Sequence, residues 1–176
     1  MDLSQNVLEA LRTDEEFVLF RGKDPNHPDS PPVLVLAPAS MQTAPETLRK
    51  IEHEYSLRDE LDSARAVRPL ALSEQRGRTT LVLEDPGGET LDRFLSGPME
   101  ITQFLRLAFG LATALGGLHK RELIHKDVKP TNVLVNPATG QVSLLGSGWL
   151  RARSTADSRE IVRVVMNRLL RSIITH

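Results

Sequence analysis

The stretch that constrains this chain most is Leu123 to Val135, which reads LIHKDVKPTNVLV. An aspartate follows His125 by two places, a lysine follows Asp127 by two, and an asparagine follows Asp127 by five. A short aliphatic, β-branched run then closes the stretch. Pro130 keeps the polar part out of a helix, because proline has no N–H to donate and restricts the residue before it. Asp127, Lys129 and Asn132 therefore have to converge from one irregular loop. By composition alone such a loop is also a plain polar turn, so its meaning depends on the chain around it.

The rest of the sequence bounds the possibilities. At 176 residues the chain can bury a real core as one domain or a small two-lobed one. Hydrophobic residues at 40% and charged residues at 26% are ordinary for a globular protein, and a net charge of −1 gives no argument for a nucleic-acid partner. With no cysteine there is neither a disulfide nor a thiolate metal site, which fits a reducing cytoplasm. The acidic, polar start MDLSQNVLEALRTDEE lacks the order of a signal peptide, and no apolar run is read as long enough for a transmembrane segment. Cytoplasmic localisation is the expectation.

Taken in order, Ser4 can cap a short helix bearing Val7, Leu8 and Leu11, so residues 1–15 are expected as a helical extension. Glu16 to Arg21 reads as a strand, followed by the connector GKDPNHPDSPP. Val33 to Ala37 is a continuous apolar strand. Thr43 and Glu46 form a capping box for a helix over about 44–61, with Leu48, Ile51 and Tyr55 on one face. Val67–Leu72 and Thr79–Glu84 are strands around a polar turn, and LVLEDPGGETLDRFL follows. Ile101 to Leu118 is an amphipathic helix with Ile101, Phe104, Leu105, Ala108, Leu111, Leu115 and Leu118 on one face. Gly116 and Gly117 near its end suit close packing. Val133–Val135 and Val142–Leu145 flank the turn NPATG as a hairpin, and Asp157 to Ile174 reads as a second amphipathic helix.

In that setting the loop resembles the H-R-D-L-x-x-x-N catalytic loop of protein kinases, with Lys126 where arginine is usual. Lys129 makes it similar to the Ser/Thr type. The resemblance spans about Phe17 to Gly148. It implies an α+β, two-lobed protein-kinase-like fold, with an antiparallel-sheet small lobe over 16–85 and an incomplete helical large lobe over 86–148. Residues 149–176 then form a basic stretch and a terminal helix. It further implies ATP and Mg²⁺ as cofactors and a protein substrate or signalling partner. Asp127 would orient the attacking hydroxyl, Lys129 would neutralise charge on the transferring phosphoryl group, and Asn132 would hold Mg²⁺. His125 would be a buried strut. Around the adenine, Leu83 would be the gatekeeper, Glu84 and Pro86 would offer backbone groups, and Leu134 would form the floor.

Several positions depart from the family pattern. No glycine-rich loop follows the strand at Glu16–Arg21. Leu36 stands where V-A-I-K has its lysine, so Glu54, at the place of the lysine's partner, is expected as a solvated charge beside Lys50. Gly146-Ser147-Gly148 replaces D-F-G, and no A-P-E follows. The likeness is to the N-terminal kinase-like domain of large bacterial hybrid sensor kinases. Two function classes are therefore open. One is a Ser/Thr protein kinase of weak or no activity. The other is a pseudokinase-like regulatory module acting through protein contact. Under either class the terminal helix is expected to cover the exposed flank of the large lobe, the competing reading being a basic amphipathic helix that binds a membrane surface or a partner protein.

Overall fold

The computed structural model describes residues 6–75, 77–95, 100–146 and 149–151, the last three by backbone alone. The chain divides into two units, Met1–Glu60 with Val67–Asp85, and Leu61–Ala66 with Pro86–His176. The fold is α+β, as the kinase resemblance implies.

The first unit is a five-stranded antiparallel sheet in the order β1-β2-β3-β5-β4, with one helix. Its strands are β1 Val7–Thr13, β2 Phe17–Lys23, β3 Val33–Pro38, β4 Pro69–Gln75 and β5 Arg78–Glu84; the helix α1 is Pro45–Ser56. All six residues of β3 are buried, as expected for the central strand of a continuous apolar run. β1 corrects the helix expected over residues 1–15. Val7, Leu8 and Leu11 fit a helical stripe, yet only Leu11 is buried. A helix that short is marginal alone, whereas pairing Val7 with Lys23 through to Thr13 with Val18 secures the backbone groups.

The helix α1 is also shorter than expected. Ala44 takes the N-cap position without a side-chain bond, Pro45 opens the first turn, and the Thr43–Glu46 box is not used. Its buried face is Thr47, Ile51 and Glu54. Lys50 pairs across to Glu16 at 2.6 Å, and not with Glu54. Glu54 is 1% exposed, which overturns its reading as a solvated charge. A second ion pair that the sequence does not announce joins the guanidinium of Arg21 on β2 to the carboxylate of Asp85 at 2.5 and 3.0 Å. The Asp85 side chain is 1% exposed.

The second unit holds α2 Leu91–Phe94, α3 Ile101–His119 and two small sheets. β6 Glu89–Thr90, β8 Val133–Asn136 and β9 Gln141–Leu144 make one sheet in the order β6-β8-β9. The other pairs β7 Leu123–His125 with β10 Trp149–Arg151. The hairpin around NPATG is present, its turn held by Asn136 Oδ1 accepting from the amides of Ala138 and Thr139. Leu61–Ala66, read from the sequence with the small lobe, belong here, since the Leu144 amide donates to the Arg65 carbonyl. Arg65 also lies against Gly117, where a β-carbon would fall 2.0 Å from its Nε.

Only the C-terminal half of α3 meets the apolar expectation. Leu111, Ala114, Leu115 and Leu118 are buried, while Ile101, Leu105 and Phe109 are exposed. By length and composition this helix could also cross a membrane, which revises the reading that no run is long enough. Its buried half packs on β7 and β9. The amphipathic helix expected at Asp157–Ile174 lies outside the described residues.

The Arg21–Asp85 pair generates a stability prediction. Arg21→Met would leave the Asp85 carboxylate buried beside an apolar chain, at an expected cost of about 3 kcal/mol. Arg21→Met with Asp85→Leu should recover most of that loss. Urea midpoints of the three proteins decide; a neutral Arg21→Met would remove the pair from any structural role.

Candidate functional site

The loop between β7 and β8 is built outward from buried anchors. His125 ends β7 fully buried, and Val128 is buried two residues before Pro130. Lys129 is extended, and the 3₁₀ turn Pro130–Asn132 then leads into β8. With Val128 turned inward, Asp127 and Lys129 fall on the outer side, two residues apart along an extended chain. Their side chains are 50% and 38% exposed.

The three residues expected to act together are brought together. Lys129 Nζ lies 3.0 Å from Asp127 Oδ2. The buried Asn132 donates from Nδ2 to the same Oδ2 at 2.9 Å and to the Asp127 carbonyl at 2.7 Å. Burial pushes the Asp127 carboxyl upward. The hydrogen bond and charge of Lys129, with the Asn132 amide, outweigh it and hold the group below the usual carboxylate value.

Beneath them His125 bridges two backbone groups. Nδ1 accepts the Asp127 amide at 3.2 Å, so Nε2 carries the proton and donates to the Leu145 carbonyl at 2.7 Å. The Leu145 amide in turn donates to the Asn132 carbonyl. Loop and hairpin end are thus one hydrogen-bonded piece, with the imidazole as its centre.

The residues expected on the nucleotide side are less favourable. Leu83 and Leu134 are buried strand residues of β5 and β8. The Glu84 amide already donates to the Arg68 carbonyl, and its carboxylate pairs with Arg68 at 2.8 Å. The Pro86 carbonyl accepts from Asn136 Nδ2 at 3.1 Å, and Pro86 has no N–H. Leu36 is buried between Leu19 and Leu81 on the neighbouring strands.

The strand at Phe17–Lys23 proves to be the second of its sheet. The family's phosphate loop, which follows the first strand, therefore falls on the turn Asp14-Glu15-Glu16. There Asp14 Oδ1 accepts the amides of Glu16 and Phe17. Arg12 stands 3.7 Å from Asp14 and Lys50 2.6 Å from Glu16, so the cations beside this turn, like its N–H groups, already have partners. The buried Glu54 and this acidic turn are the features that sequence reading missed; the turn was legible in T-D-E-E had β1 been recognised.

The same donor chemistry tests the fit of Mg²⁺. The family's metal aspartate has no counterpart at Gly146, which leaves Asn132 as the ligand the resemblance supplies. Among the described residues, no three His, Asp or Glu side chains cluster as a cation site. The described residues do not make up the donor set that Mg²⁺ requires.

The buried imidazole gives a pH prediction. Burial holds His125 below its ordinary value, and burial does the same to His119. Below the unfolded value of about 6.5, the unfolded chain binds protons that the folded chain resists, so stability should fall from about pH 7 toward about pH 5. Asp127 acts at lower pH, its contribution lost only as the carboxylate protonates. Long-range ¹H–¹⁵N spectra at about pH 6 should show His125 neutral with Nε2 protonated. A doubly protonated ring would contradict the bridge.

The protein kinase domain family matches residues 37–163. An Aurora kinase from Schizosaccharomyces pombe is 27% identical over 57% of this chain and 29% of its own length. The serine/threonine-protein kinase PrkC of Bacillus subtilis is 26% identical over 52% of the chain and 14% of its own length. The peroxide stress-activated histidine kinase mak2 of Schizosaccharomyces pombe is 32% identical over 46% and 4%. The chain thus spans less than a third of each of these relatives. With the match covering most of the sequence and including the whole Asp127–Asn132 loop, this chain belongs to the protein kinase domain family.

Proposed function

We propose that this chain is a Ser/Thr-type kinase-like domain of a cytoplasmic signalling protein, with weak phosphoryl transfer or none in this chain alone. The observation that carries the reading is the loop itself, with Lys129 and Asn132 both on Asp127 Oδ2. In the reaction it implies, Asp127 takes the proton of a serine or threonine hydroxyl as that oxygen bonds to the γ-phosphorus of ATP. The bond to the β-phosphate oxygen breaks and ADP leaves, while Lys129 offsets charge on the transferring group. A place in a sensor protein is supported by the similarity to the histidine kinase mak2.

The groups on the nucleotide side favour low activity. Loss of one preorganised electrostatic group costs about 10²–10³ in rate. Here Leu36 and Gly146 replace two such groups, although such losses need not multiply. Those replacements, with the acidic turn at Asp14–Glu16, support a second reading as a pseudokinase-like regulatory module that works through protein contact.

Transfer of labelled γ-phosphate separates the two. The expected outcome is trace incorporation or none, with any signal abolished by Asp127→Ala; robust turnover sensitive to that change would establish an active kinase. Nucleotide binding is expected to be weak. Ligand at a hundred times its Kd would stabilise the fold by about 2.7 kcal/mol, a readable thermal shift. Nanomolar ATP affinity would refute the account of the hinge and turn.

A further inference from the structure

The position that lacks the family's metal aspartate is also a position with no room for it. A β-carbon on Gly146 would lie 2.1 Å from Nε2 of His125, 2.8 Å from Cε1 and 3.2 Å from Cδ2. The ring has no easy way to yield. It is 1% exposed, and its two nitrogens are held by the Asp127 amide and the Leu145 carbonyl. Turning it aside would strip a hydrogen bond from the buried Leu145 carbonyl and another from the part-buried Asp127 amide, which is costly. The carbonyl that accepts Nε2–H belongs to the residue just before Gly146, so the bond itself draws that backbone onto the ring.

We propose that His125 and Gly146 form a steric lock, in which the imidazole occupies the space of the missing aspartate's β-carbon and commits the loop to a form without the family's principal metal ligand. Any side chain at 146 then displaces the group that positions Asp127. Gly146→Asp therefore damages the site instead of restoring a magnesium ligand. The proposal rests on the kinase-like reading only for the identity of the absent aspartate; the crowding is a property of this chain.

The test is a cycle of variants in the full chain. Gly146→Ala and Gly146→Asp should lower Tm by a similar amount, roughly 5–10 °C, because both carry the same β-carbon. Gly146→Asp should bind Mn²⁺ no more tightly than the parent does. In a His125→Ala background the penalty of Gly146→Ala should largely vanish. The lock is overturned if Gly146→Asp keeps the parent Tm and gains about tenfold in Mn²⁺ affinity. An unchanged alanine penalty in the His125→Ala background overturns it equally.

The parent protein gives an independent reading should any variant fail to fold. Millimolar Mn²⁺ should leave the Asn132 side-chain amide signals unbroadened; selective broadening there would show that a metal site survives without the aspartate. None of these readouts requires phosphoryl transfer, so an inactive chain and a failed lock give different results.

Discussion

The imidazole of His125 is the piece on which the loop depends. One ring nitrogen accepts from the amide of Asp127 and the other donates to the carbonyl of Leu145, so a single buried side chain ties the loop to the end of the hairpin. The bond to Leu145 is buried and the one to Asp127 part-buried, so the first in particular cannot be traded for solvent at low cost. The ring has to be neutral for this pattern to exist, since a second ring proton would face the Asp127 N–H. Burial enforces that state. The exposed pair of Asp127 and Lys129 is thus positioned from below, by groups that never meet a substrate.

The chain is asymmetric in what it has kept. In the loop the carboxylate, the ammonium and the amide of Asp127, Lys129 and Asn132 converge. At the positions that the kinase resemblance gives to nucleotide contacts stand a buried leucine at Leu36 and, at Glu84 and Pro86, backbone groups already bonded within the protein. Around Asp14 and Glu16 the nearby cations, Arg12 and Lys50, are already paired with those carboxylates, which leaves no spare positive charge at the turn to favour a polyphosphate.

Much of this was legible in the residues. The loop Leu123–Val135, the buried strand at Val33 and the hairpin around NPATG follow from local chemistry: a proline that bars a helix, a run with no polar position, a turn-forming Asn. Reading failed where two local outcomes were equally good and a distant partner decided. Val7, Leu8 and Leu11 suit a helix face as well as a strand, and β2 settled the matter by pairing. Glu54 beside Lys50 looked like an exposed helical pair until Glu16 claimed the lysine. The apolar face of α3 was correct in periodicity, but its extent was set by which half meets β7 and β9.

By itself, then, the sequence determined the family and the composition of the loop, because those depend on residue identity at fixed spacing. It also determined which family groups are missing. Tertiary structure alone decided what replaced them. Packing buried Glu54, joined Arg21 to Asp85 across two strands, and closed the backbone at Gly146 onto His125. Each of these brings together groups far apart along the chain, or sets a distance of a few tenths of an ångström. Spacing in a sequence carries neither kind of information, since both arise only when backbone and side chains compete for the same volume.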